Sequence, residues 1–182
     1  MEHLYYLVAQ LPAISVNDDS SQKLPLTVGY FKDLCSRFMS EKSAKLAEKL
    51  TLEPPVEPVS TGSVFLDEWY EKERCLRLAL AQIRALKMKK DVKDLPSASD
   101  GESIQAARTA TGMDSPLAAE QYLNQYRLGI LDRIAPMDNF SADAVYSYGL
   151  KLMLAERMKK FNKDEGLASY HKIYDEILGE KK

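Results

Sequence analysis

The stretch from Ser63 to Lys90 constrains this chain most. Phe65, Trp69, Leu76, Leu80 and Ile83 recur along it at helical spacing on one side, which predicts a single long helix serving as the spine of the fold. What precedes it is punctuated. The run Glu-Pro-Pro-Val-Glu-Pro from Glu53 to Pro58 is a stiff linker that must end any helix before it, because proline offers no backbone N–H and clashes with the preceding turn. Residues 41 to 52, with Ala44, Leu46, Ala47 and Leu50, carry the helical pattern that it ends. Earlier still, Thr27 stands as an N-cap before Tyr30, Phe31, Leu34 and Phe38, whose three- and four-residue spacing predicts a helix of about three turns breaking near Ser40. Leu4 to Ala9 is aromatic and β-branched and stops at Leu11-Pro12, so it suits either a short strand or the first turns of a buried helix. Asn17 to Gln22 reads as an exposed polar loop.

Beyond the spine, Asp91 to Gly101 holds Pro96, Ser97 and Ser99 and has no apolar period, which predicts a flexible connection. Ile104 to Thr111 is weakly periodic. Ser115-Pro116 is an N-cap followed by proline at the first helical position, opening a helix to about Ile134 that Pro136 forbids to continue. Ser141 caps the next helix, to about Phe161, and Gly166 interrupts or kinks a last one ending near Leu178. The pattern is that of an all-α protein, a bundle of about six to seven helices with a long central helix and room for one short N-terminal strand. Three parts follow: an N-terminal helical region over 1–90, a flexible linker over 91–101, and a C-terminal helical region over 102–182 packing on the spine helix.

Composition narrows the function. With 182 residues, 45% hydrophobic and 29% charged, the chain can bury a core without disulfide or metal. Lys and Arg number 25 against 27 Asp and Glu, so the electrostatic footprint of nucleic-acid binding is missing. The Lys87, Lys89, Lys90 group is followed at once by Asp91 and Asp94 and reads as a solvated helix end. Cys35 and Cys75 lie far apart among apolar residues, as buried, reduced thiols would. The apolar run within Met1 to Gln10 is too short for a signal peptide or membrane span, which predicts a cytoplasmic location. His3 and His171 have no partner at metal-ligand spacing, the phosphate-cradling glycine motifs are absent, and no G-x-S-x-G occurs. No cofactor, metal or catalytic residue is therefore expected.

The informative charges are those that fall on apolar faces. Glu73 sits between Trp69 and Leu76 on the stripe of the spine helix and needs a partner, with Arg77 one turn on and Arg84 two turns beyond. Glu120 and Arg127 share a row with Leu117, Leu123, Leu131 and Ile134; Arg157 shares the face of Leu150, Leu154 and Phe161, with Glu156 beside it. Paired acids in a helical cleft can do acid–base work. Arginines beside these acids, their bidentate geometry and the lack of histidine favour interhelical ion pairs that set packing register. Tyr122, Tyr126, Tyr146, Tyr148, Tyr170 and Tyr174 read as core residues with hydroxyls at the rim, or as an interaction surface.

Certain blocks resemble a known family. Tyr5-Tyr6-Leu7-Val8-Ala9 with Leu11-Pro12, Trp69-Tyr70-Glu71-Lys72-Glu73 followed by Leu76-Arg77, and Arg84-Ala85-Leu86-Lys87 look like an uncharacterised bacterial family encoded among V-type (A/V-type) ATPase subunits. Ser115 to Glu120, Arg127 with Leu131-Asp132, Phe140, Tyr148 to Leu152, Glu156-Arg157, Phe161 and Gly166 resemble its later blocks. That family in turn resembles the rotary ATPase central-stalk subunit called C or d, an all-helical funnel, although this chain is too short for all three of its lobes. The resemblance implies a non-catalytic subunit or an assembly and coupling partner, bound to stalk and rotor-ring subunits and peripheral to the membrane through them. Two other readings stand beside it: a small-molecule enzyme using Glu73, Glu120 and Glu156 around a cleft, and a helical interaction scaffold unrelated to the ATPase.

Overall fold

The structure is a computed structural model that describes residues 4–14, 24–90, 96, 98–161 and 163–179. The expected polar loop at Asn17 to Gln22 and most of the expected linker from Asp91 lie outside the described residues. The described residues form eight helices and no strand: α1 Tyr5–Gln10, α2 Val28–Phe38, α3 Glu41–Glu48, α4 Val64–Lys87, α5 Gly101–Gly112, α6 Pro116–Arg133, α7 Ala142–Lys159 and α8 Lys163–Leu178. The protein is all-α. Its count exceeds the expected six to seven because the ambiguous N-terminal segment is helical and the weakly periodic stretch from Ile104 is a full helix.

Caps explain the starts. Thr27, Ser40, Ser63, Ser115 and Ser141 each accept a hydrogen bond from the amide three residues on, relieving one of the unpaired N–H groups of the first turn. Ser63 also donates its hydroxyl to Asp143 Oδ1 at 2.6 Å, tying the N-termini of α4 and α7 together. Asp100 caps α5 through Ser103, lies 3.4 Å from Lys72 Nζ, and so anchors the end of the expected linker to the spine. Gln82 reaches Pro96 O from the same helix. At its other end α4 closes with Lys89 at φ 53°, Lys89 N–H donating to Leu86 O and Lys90 N–H to Ala85 O, a Schellman turn with lysine in the left-handed position. Gly166 neither ends nor interrupts α8, which runs through it.

The spine helix α4 packs against α5, α6 and α7. One core gathers Leu7, Phe31, Leu34, Trp69, Leu131, Tyr146 and Leu150 from both halves of the chain; a second, smaller one sets Leu76, Ala79 and Leu80 against Ala106, Ala107, Ala110 and Leu123. The alanines of α5 let it approach α4 closely. Gly149 does the same for α7: a Cβ there would lie 2.6 Å from Phe31 Cε1. Cys35 is fully buried and Cys75 nearly so, both as free thiols, and burial pushes the Cys35 thiol up to about 12.

The tyrosines divide. Tyr146 is buried and donates to Ser43 O at 3.1 Å; Tyr148 donates to Pro12 O at 2.8 Å and Tyr126 lies 3.3 Å from the Ser103 hydroxyl, so these are core residues with hydroxyls at the rim. Tyr170 and Tyr174 are exposed and stack at 5.9 Å on α8. Every residue from Gly166 to Gly179 is exposed, including Leu167, Ile173, Ile177 and Leu178. No helix among the described residues is long and apolar enough to cross a membrane.

Candidate functional site: a charged groove between α4, α6 and α7

Helical geometry puts Glu73 and Arg77 one turn apart on α4, and Arg77 Nε donates to Glu73 Oε1 at 2.8 Å. The second partner comes from α6. Arg127 donates Nε to Glu73 Oε2 at 2.9 Å and Nη2 to Oε1 at 3.0 Å, a bidentate pair with Glu73 1% and Arg127 4% exposed. Arg77 continues outward, donating Nη2 to Leu52 O at 3.2 Å and placing Nη1 3.9 Å from Glu53. The carboxylate thus joins α4 and α6 and fastens the segment after α3. Breaking such a buried pair costs about 3–5 kcal/mol, because the remaining charge is left without solvent or partner.

Along this seam three buried side-chain atoms have no hydrogen-bond partner among the described residues: Trp69 Nε1, Asn124 Oδ1 and Arg127 Nη1. Trp69 stands one turn before Glu73 on α4 and Asn124 one turn before Arg127 on α6, so the orphans flank the ion pair on both helices. Asn124 turns its amide nitrogen to Met158 Sδ on α7.

A groove of about 520 Å³ opens beside the pair, walled by α4, α6, α7 and the segment after α3. Arg157 of α7 crosses one side to Glu120 of α6, Nη2 to Oε2 at 2.8 Å, with both side chains about a third exposed. Two expected ion-pair members are corrected here. Arg84 is exposed and makes no ion pair among the described residues. Eleven residues at about 1.5 Å each carry it some 16 Å along the helix from Glu73, and the acid across the groove, Glu120, is already held by Arg157. Glu156 is likewise exposed without an ion pair, since sequence neighbours on a helix point about 100° apart and it cannot share the face of Arg157.

The structure therefore brings Glu73, Arg77 and Arg127 into one network centred on a buried carboxylate and Glu120 with Arg157 into a separate, partly exposed pair, and leaves Arg84 and Glu156 at the groove's rim. Asn124 and Lys160 were not foreseen. Asn124 carried a signal, a polar residue three before Arg127 on a buried row; Lys160, at the end of α7, carried none. Glu73 and Glu120 are each held by arginine, so neither stands as a free carboxylate facing the groove. Among the described residues no group of three or more His, Cys, Asp and Glu could hold a metal ion.

A second groove of about 620 Å³, between α1 and α7, is lined by Val8, Leu11, Ile14, Pro136 and Tyr148. Its one cation among the described residues, Lys151, is paired to Asp132 at 2.6 Å. The ionisable groups converge on the first groove. No family model, curated protein or solved structure matches the chain.

Proposed function

We propose that this protein is a non-catalytic helical adaptor, a subunit or assembly partner of a V-type ATPase that binds its neighbours through α8. The observation that carries an adaptor reading is α8 itself. Leu167, Tyr170, Ile173, Tyr174, Ile177 and Leu178 recur at three- and four-residue spacing along a helix whose residues from Gly166 onward are all exposed. A contiguous apolar helix face left in water is unfavourable by the free energy of the area it would bury, and such faces are what partner helices and grooves take up. The buried Glu73–Arg77–Arg127 network supports a rigid body behind it, since all three residues are spent on holding helices together. The choice of partner rests on the blocks that resemble the ATPase-associated family, from Tyr5 to Pro12, Trp69 to Arg77 and Ser115 to Glu120.

In this reading the protein lies on the cytoplasmic side, attached to the membrane only through stalk and rotor-ring subunits. The test is recovery of the tagged full chain from its native host in mild detergent, beside a Tyr170→Ser/Ile177→Ser variant, with partners identified by mass spectrometry. Stoichiometric stalk and rotor-ring subunits, lost in the variant, support a permanent subunit; substoichiometric recovery supports an assembly factor. Absence of every ATPase subunit refutes the reading and leaves a scaffold for other partners.

A further inference from the structure

We infer that the groove between α4, α6 and α7 binds a small organic anion, an oxyanion head carried on a short apolar body. Its size suits a ligand of that kind, since small-molecule sites run from about 300 to 1,000 Å³ and this one is about 520 Å³. The lining supplies both halves of the match. Leu50, Leu52, Leu80, Leu123 and Met153 offer apolar surface, while Arg77, Arg84, Arg127, Arg157 and Lys160 offer five cations.

The charges do not cancel. Glu53, Glu120 and Glu156 also line the groove, and the buried Glu73 stands behind it, four acids against five cations. Glu73 is shared by Arg77 and Arg127, Glu120 is taken by Arg157, and Glu53 stands 3.9 Å from Arg77. That leaves Arg84 from α4 and Lys160 from the end of α7, both exposed, with Glu156 alone among the described lining residues to offset them.

A second observation points to a ligand independently. Arg127 lines the groove, is 4% exposed, and is locked by its bidentate grip on Glu73, yet its buried Nη1 has no acceptor among the described residues. Arginine cannot shed its proton, so this buried donor is a permanent positive charge just behind the wall. Arg84 and Lys160 in front of that fixed charge, in a partly desolvated groove, are the arrangement that recognises carboxylate and phosphate oxygens. Arg84 is shared with an adjoining cavity of about 290 Å³ that runs on to Lys87, so the apolar body has room to extend along α4.

The site lies apart from α8 residues, so loss of partner capture and loss of anion binding are separately readable. The test is an NMR titration of the isotope-labelled full chain with n-butyl phosphate, against inorganic phosphate and n-butanol. Saturable shifts confined to the walls of the groove are expected, with n-butyl phosphate tighter than inorganic phosphate by about fourfold for each methylene buried and n-butanol inert. Arg84→Gln/Lys160→Gln should weaken binding by about tenfold or more, the loss of charge-assisted hydrogen bonds, with the melting temperature unchanged because neither residue has an ion pair to lose among the described residues. Glu156→Gln should tighten it by removing a repelling charge. Absence of saturation, equal response to n-butanol, equal affinity for inorganic phosphate, or binding indifferent to the double variant would each overturn the assignment.

Discussion

Removal of the Glu73 carboxylate is the sharpest perturbation of this fold. Glu73 accepts from Arg127 Nε and Nη2 and from Arg77 Nε at 2.8–3.0 Å. Glu73→Ala strands Arg127, which is 4% exposed and cannot reach water, whereas Arg77, with 39% of its side chain exposed, can turn toward Glu53 or solvent. The cost is therefore that of one uncompensated buried charge, about 3–5 kcal/mol. In a chain of this size about 1 kcal/mol corresponds to some 2–4 °C, so the midpoint should fall by about 6–20 °C. Arg127→Met should cost less, about 1–3 kcal/mol, because Glu73 keeps its bond to Arg77 while losing two others. The double variant Glu73→Leu/Arg127→Met removes both charges and should recover most of the loss, since apolar replacements of buried pairs are often neutral or stabilising. Urea melts with a common slope measure all three, and Glu73→Leu alone, measured the same way, closes the double-mutant cycle. A coupling near zero, or Glu73→Ala costing less than Arg127→Met, would refute the claim that the pair is buried, bidentate and asymmetric.

Other expectations follow from local geometry. Gly149→Ala should destabilise by about 1–2 kcal/mol, the overpacking against Phe31 and Leu50 exceeding the helix-propensity gain, while Gly129→Ala, whose Cβ would meet nothing within 4 Å, should stabilise; thermal melts of the two give opposite signs. Lys89→Gly should raise stability by up to about 1 kcal/mol, because the left-handed φ of 53° strains any side chain. The Ser103 hydroxyl bound to Asp100 holds that carboxyl below its ordinary value, helped by Lys72. An Asp depressed in the folded state binds fewer protons there than in the unfolded state, so its stabilisation is complete above about pH 4 and is lost as pH falls through the folded value. Asp100→Asn, which can still cap α5, should therefore flatten the stability profile below about pH 4 in urea melts, and an unchanged acid slope would contradict the assignment.

The helices themselves were legible because their signals are local. Thr27, Ser63, Ser115-Pro116 and Ser141 mark starts by satisfying amides three residues on, and the apolar period of Phe65 to Ile83 names the buried side of α4. Likewise Glu73 on that stripe declared that it needed a partner, and Arg77 at one turn was a geometric consequence of helix pitch. Leu4 to Ala9 stayed open because a six-residue apolar run fits either period; burial of Leu7 against the α2 and α7 core is what makes it helical. The adjacent Glu156 and Arg157 showed only that they share a helix, not that they face different ways in the bundle. Arg84 and Arg127 read alike along the chain, both on rows that also carry apolar residues. Only the register between α4 and α6 decided that Arg127, 54 residues from Glu73, would be the buried partner and that Arg84 would stand exposed at a groove. Caps and helical pitch act over three or four residues and are written in sequence; pairing across a core depends on how whole helices slide against one another, which no local pattern encodes.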